Sequence, residues 1–173
     1  MAIPVTLADA RRQVRLEPDD TSMDVELADF IADAAAWVER YTGHILIARD
    51  VTEEVRTPGR TVVVRAWPIR AGATVAATAD ATPIVGLRLD LSSRPARILP
   101  AAGTLWPLSC AVRVLQITVR AGYEDDDVVP RNLRRAMLIL ISAYDSDREG
   151  GDIFEKAEAA ARRLCRDFRM SRV

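Results

Sequence analysis

Few residues in this chain have the types and spacing that do chemistry, and each has a plainer role beside the chemical one. His44 is the one histidine. A catalytic imidazole needs a nucleophile or acid partner in reach. His44 instead follows Gly43, where a helix C-terminus favours a partly protonated ring without any catalysis. Ser109-Cys110 lacks the glycine-flanked elbow that exposes a nucleophile. Cys110, Cys165 and His44 have no zinc-ligand spacing, and two cysteines are too few for a disulfide framework. Both thiols are expected to pack.

The acidic run Glu124-Asp125-Asp126-Asp127 offers carboxylates to Mg²⁺ or Ca²⁺. Consecutive acids point in different directions, however, and no EF-hand pattern of Gly and Glu follows. An acidic loop just ahead of a helix complements the helix dipole instead. A metal-dependent nuclease would draw on Asp125, Asp127 and Asp145. Asp145, Asp147 and Glu149 also read as a solvated helix end. Gly150-Gly151 is followed by no phosphate-binding Lys. Trp37, Trp67 and Trp106 read as core or rim residues, not as platforms for bases. No catalytic residue, cofactor or metal site is expected.

The most basic local feature is the C-terminal stretch, where Arg162, Arg163, Arg166, Arg169 and Arg172 face only Asp167. Arg162, Arg166 and Arg169 fall on one face if the helix continues. That face is either the solvated side of a terminal helix or a docking tail with Phe168 and Met170 as apolar anchors. A DNA-binding accessory acting through the same arginines is a third reading.

The elements that position these residues begin with Thr21 to Gly43. Thr21 or Ser22 supplies an N-cap hydroxyl, and Asp24 and Glu26 place negative charge in the first turn. Leu27, Ile31, Ala34, Val38 and Tyr41 recur at helical spacing, beside Phe30 and Trp37. Gly43 supplies the left-handed C-terminal residue. The helix is roughly 30 Å long, enough to span a small domain. Ahead of it, Thr6 to Val14 is a short helix with Thr6 as cap and Asp9 completing a capping box. Pro18 breaks the connector between the two. Pro130 opens a third helix with Leu133, Ala136, Met137, Leu140, Ile141 and Tyr144 inward. Leu138 and Ile139 widen its apolar surface, so it is expected to be buried on several sides. A fourth helix runs from Asp152, as cap, to about Met170, with Phe154, Ala157, Ala161, Leu164, Cys165 and Phe168 on one face.

Between the second and third helices the pattern turns to β-branched runs. His44–Val55 and Thr61–Arg65, joined by Thr57-Pro58-Gly59-Arg60, read as a first hairpin. Short apolar pieces follow at 73–77, 83–85, 87–91 and 96–99. The stretch 112–120 alternates, with Leu115-Gln116 breaking the phase. The expectation is about seven short strands in a small sheet or sandwich. The fold class is therefore α+β, with helices from both ends in one bundle around a central β-rich insertion.

A chain of 173 residues suffices for one domain with its own core. No apolar run reaches the ~18 residues of a membrane span, and the N-terminus lacks a signal peptide's apolar stretch, so synthesis in the cytoplasm is expected. The net charge of −1 argues against a dedicated nucleic-acid binder. Its distribution is uneven. Residues 1–43 carry 4 Arg against 9 acids, residues 44–123 carry 10 Arg against 5 acids, and residues 124–173 carry 10 basic against 11 acidic residues. Such segregation suits complementary contacts between copies, or a charged partner.

Two ordered blocks resemble the head–tail connector (adaptor) proteins of tailed phages. The first comprises Leu7, Asp19-Asp20, Leu27, Ile31, Ala34, Val38-Glu39, Tyr41-Thr42-Gly43 and Ile45-Leu46. The second comprises Ala121-Gly122-Tyr123, Val129-Pro130, Leu133, Ala136, Tyr144 and Arg148-Glu149. Together they cover nearly half of the chain. The stretch Thr57–Ser109 departs from the compact members as an enlarged β insertion. The resemblance implies a single connector domain over 1–173, with a helical core at 1–43 and 121–173 and the insertion at 44–120. It implies a structural, non-enzymatic protein of the virion head–tail junction, present in the host cytoplasm during assembly. Such proteins form a dodecameric ring below the portal protein, extend the channel through which double-stranded DNA passes without sequence readout, and recruit a tail-side stopper or tail-completion protein. The C-terminal segment would reach the portal, through Phe154, Arg162, Arg163, Arg166, Phe168, Arg169, Met170 and Arg172. Removing Arg162–Val173 is expected to leave the fold intact and to abolish attachment.

Overall fold

The computed structural model describes residues 4–56, 60–106, 114–124, 129–147 and 149–169. They form two compact units. One joins Met1–Ile47 to Tyr123–Val173, and the other is Ala48–Gly122. The class is α+β as expected, with four helices and two antiparallel sheets among the described residues.

In the helical unit, α1 (Leu7–Gln13) starts at the capping box read from the sequence. The Thr6 hydroxyl accepts the Asp9 amide, and the Asp9 carboxylate accepts the Thr6 amide at 3.1 Å. The long helix α2 (Asp24–Thr42) ends at Gly43, whose φ of 75° is the left-handed conformation a side chain resists. Its start differs from expectation. Neither Thr21 nor Ser22 caps it: Met23 holds the cap position without a side-chain bond. Asp20 instead accepts the Ser22 amide, and the α1 residue Arg11 grips Asp24 through its Nε at 2.8 Å. The Asp20 carboxylate thus orders the turn ahead of the helix, and the Arg11–Asp24 pair ties its first turn to α1, although a guanidinium, which only donates, does not replace a capping acceptor.

The third helix, α3 (Arg131–Ser146), packs against α1, α2 and α4 (Asp152–Cys165). Contact on three sides explains its broad apolar surface. Leu133, Ala136, Met137, Leu140 and Ile141 are fully buried, and with Leu27, Ile31, Ala34, Val38 and Ala161 they form one continuous core. The fourth helix also starts differently from its sequence reading. Gly151, not Asp152, is the N-cap residue, and Asp147 reaches across the turn to accept the amides of Ile153 and Phe154. At its other end α4 stops at Cys165, and a single 3-10 turn, Arg166–Phe168, follows.

The strand unit holds β1 (Arg49–Val55), β2 (Val62–Val64), β3 (Val75–Ala79), β4 (Thr82–Ile84), β5 (Arg88–Asp90), β6 (Ala96–Leu99) and β7 (Leu115–Ala121). One sheet has the order β1-β7-β3-β4 and the other β2-β6-β5. The expected first hairpin does not form. β1 pairs with β7 and β2 with β6, which sets Val51 and Val55 against Val119 and Leu115, and Val62 and Val64 against Ile98 and Ala96. The phase of β7 is set by Leu115, Ile117, Val119 and Ala121, all buried. Leu115 therefore begins the alternation that it was expected to break. On the opposite face, cross-strand pairs Thr52–Thr118 and Glu54–Gln116 meet solvent. Glu53 Oε1 accepts the amides of Arg65 and Ala66, both at 2.9 Å, and so ties the first sheet to the end of β2.

Candidate functional site at the C-terminal segment

The sequence places its docking candidates on α4 and beyond, and the structure divides them. Helix α4 carries Asp152 and Glu155 in its first turn and Arg162 and Arg163 in its last, each sign at the helix end that favours it. Dipole complementarity alone accounts for part of this basic cluster. Arg162 also closes an i,i+4 pair with Glu158 at 2.9 Å. Glu158 in turn accepts the Trp37 indole N–H at 3.0 Å, which fixes α4 on α2.

The helix does not continue to Met170, so Arg162, Arg166 and Arg169 do not share one helical face. Beyond the 3-10 turn Arg169 is extended. Its guanidinium lies 5.5 Å from the Tyr41 ring centroid, and Tyr41 is itself stacked on Trp37 at 5.1 Å. A cation over an aromatic face at this distance is held electrostatically by the ring quadrupole. Phe168 turns inward and meets the edge of His44, with ring centroids 5.7 Å apart. Phe154 stacks on Tyr144 at 5.6 Å. Both phenylalanines are half-buried against the helical core, so neither stands as a free anchor. Arg162, Arg163, Arg166 and Arg169 are exposed. Met170 and Arg172 lie outside the described residues.

The expectation that Arg162–Val173 can be removed without cost to the fold is overturned within the same stretch. Cys165 is fully buried, and Leu164 and Phe168 pack on the core cluster. Burial pushes the Cys165 thiol up to about 11, which keeps it protonated and unreactive near neutrality.

The remaining chemical candidates scatter. His44 does not stand at an open helix end: it is buried, with Nδ1 2.8 Å from the Tyr123 hydroxyl and its amide donating to the Thr42 hydroxyl. The imidazole is a packed polar member of the helical unit. Ser109, Cys110, Asp125 and Asp127 lie outside the described residues, so the proposed carboxylate set with Asp145 is not described. Among the described residues no three His, Cys, Asp or Glu side chains gather as a metal site requires. No helix there is long and apolar enough to cross a membrane. Asp147 has a definite role: backbone amides at Gly151 and Phe154 hold its carboxyl below the usual carboxylate range.

Sequence reasoning missed the seat of the tail, formed by Trp37, Tyr41, His44, Tyr123 and Glu158. The i,i+4 spacing of Trp37 and Tyr41 was a visible signal for a stacked pair on α2. Nothing in the sequence linked that pair to Glu158 or Arg169.

No model of a known family matches the chain, and no curated protein matches it. Solved structures do match. A chain from the neck of an empty gene transfer agent particle, computed with C6 symmetry, superposes with a TM-score of 0.80 at 23% identity, covering 100% of this chain and 94% of that one. The fold is that of a particle-neck chain. A chain from the neck of the native particle, computed with C12 symmetry, gives 0.74 at 23% identity with the same coverage. One from the virion of the native particle gives 0.73 at 22%, again with the same coverage. At these identities the likeness is one of fold, and it takes in the central strands as well as the helices.

Proposed function

We propose that this protein is a structural head–tail connector of a phage-like particle, without enzymatic activity. Copies form a ring below the portal protein, extend the channel for passing double-stranded DNA, and receive the next tail-side protein. The observation that carries the reading is the fold likeness over the full length of this chain to neck chains solved with six- and twelvefold symmetry. The two sequence blocks that resemble connector proteins also support it: apart from Ala121-Gly122 they lie in the helical unit, which the fold likeness spans. The protein resides at the head–tail junction, after assembly in the host cytoplasm.

The portal contact in this reading lies along Phe154–Val173, with the exposed Arg162, Arg163, Arg166 and Arg169 facing the partner and Met170 and Arg172 beyond them. Phe154 and Phe168 act from behind by holding the segment against the core. The test is a tagged pull-down from cells making the particle, with bound proteins identified by mass. The variant combines Arg163→Glu and Arg166→Glu with removal of Met170–Val173, which spares every buried residue of α4. A portal-like protein bound by the natural chain and lost with the variant, at unchanged melting temperature, is the expected result. Recovery of only nucleic acid or a metabolic enzyme by the natural chain would sink the connector reading.

A further inference from the structure

Two exposed surfaces, one on each unit, are left over by the folding of a single copy. The first is the side of α2 opposite its buried stripe. It presents Val25, Ala28, Asp29, Ala32, Asp33 and Ala36 to solvent, with Val25 79% exposed. The helical unit that carries this face is acidic, with 14 basic against 20 acidic residues. The second is the outer face of the β2-β6-β5 sheet. Its pleat buries Val62, Val64, Ala96 and Ile98 on one side. On the other side it places Val63, Arg97 and Asp90 in register across the three strands. Alternation puts Arg65 and Arg88 on that same side. Both arginines and Arg97 are exposed, and Val63 is 42% exposed. The strand unit is basic, with 10 Arg against 5 acids.

We infer that the outward face of α2 on one copy docks on the outer β2-β6-β5 face of the next copy, a contact that rests on the ring reading above. A ring of more than two copies needs a heterologous interface, in which each copy contributes two different patches. Here the two patches match in kind. Each sets exposed apolar surface beside charge, acidic on α2 through Asp29 and Asp33 ahead of the exposed Arg40 in its last turn, and guanidinium on the sheet. Opposite signs draw the two together, whereas two α2 faces meeting across a twofold axis would set Asp29 and Asp33 against their own copies. Nucleic acid fits the sheet face less well. Asp90 sits between Arg88 and Arg97 on it and repels phosphate, and Val63 offers a phosphate nothing.

Charge reversal in matched pairs tests the contact. One variant carries Asp29→Arg and Asp33→Arg, a second carries Arg65→Glu and Arg97→Glu, and a third carries all four. Self-association is read by sedimentation over a concentration series, and incorporation into particles by cross-linking and mass analysis. The first two variants are expected to associate at least about tenfold more weakly. The fourfold variant regains association, because the reversed faces match again. All sites are exposed, so unchanged melting curves separate lost contact from lost fold. Natural-level association of either two-site variant would overturn the inference, and so would failure of the fourfold variant to recover. Loss of DNA retention by the sheet variant, with association intact, would assign that face to nucleic acid. If the natural chain neither self-associates nor enters particles, the ring reading falls, and the docking inference with it.

Discussion

The helical unit and the strand unit hold together by different means. In the helical unit four helices close on a single core, and α3 is buried against the other three helices. Its stability is spread over many apolar contacts, so any one polar group is a small part of it. The strand unit divides its apolar residues between two small sheets, each with one buried face. There a half-buried carboxylate, Glu53, supplies acceptors that the second sheet's end would otherwise lack. A unit with one deep core tolerates a changeable surface. A unit of thin sheets needs particular polar bonds to keep its faces in place.

The sharpest break of this contrast is Leu140→Ala. Leu140 is fully buried, so its truncation should cost about 2–5 kcal/mol and lower the denaturant midpoint. In a Cys110→Ser background the same variant should speed thiol labelling of Cys165, which in the unaltered core reacts only as fast as the helical unit opens. Equal labelling rates would mean that Leu140 does not hold that core. Next in size is Glu53→Ala, which strands two amides and should cost about 1–3 kcal/mol. Glu53→Gln keeps an acceptor oxygen and should recover most of the loss. A Gln variant as unstable as the Ala variant would show that charge, not hydrogen bonding, matters there.

Smaller is Thr6→Ala, which removes one side of the α1 capping box and should cost about 1 kcal/mol by chemical denaturation. No change would mean that α1 is held by its packing alone. The smallest effect is one of pH. Asp147 has its carboxyl lowered by the α4 amides, so its contribution is complete above the usual carboxylate range. It is lost as the pH falls through the lowered value in the folded protein. Helical circular dichroism followed through acid should show this loss in the natural chain, and Asp147→Ala should lack that component. A superimposable acid profile for the variant would remove Asp147 from the cap.

Legibility in the sequence followed the range of the interaction. The buried stripe of α2 and the Gly43 stop were plain because helical spacing and a left-handed residue are local signals. Caps made from further away were not. Asp147 serves α4 from five residues before its start, and the first turn of α2 is tied to α1 by the Arg11–Asp24 pair with no capping side chain at Met23. In the β region the runs were visible but their partners were not, as the false hairpin of β1 and β2 shows. Of the docking segment, the exposed arginines could be read. Phe168 read both as a member of the fourth helix's apolar face and as a docking anchor; its inward seat against His44 could not be chosen, since it depends on a contact between distant parts of the chain.

Residue order by itself determined the α+β class, the four helices, the apolar stripes and the uneven charge, because each follows from neighbours within a turn or two of chain. Tertiary structure alone decided the strand order, the end of α4 at Cys165 and the seat of Arg169 over Tyr41. Each of these is a choice among partners remote in sequence, settled only when burial and hydrogen bonding are satisfied for all of them together.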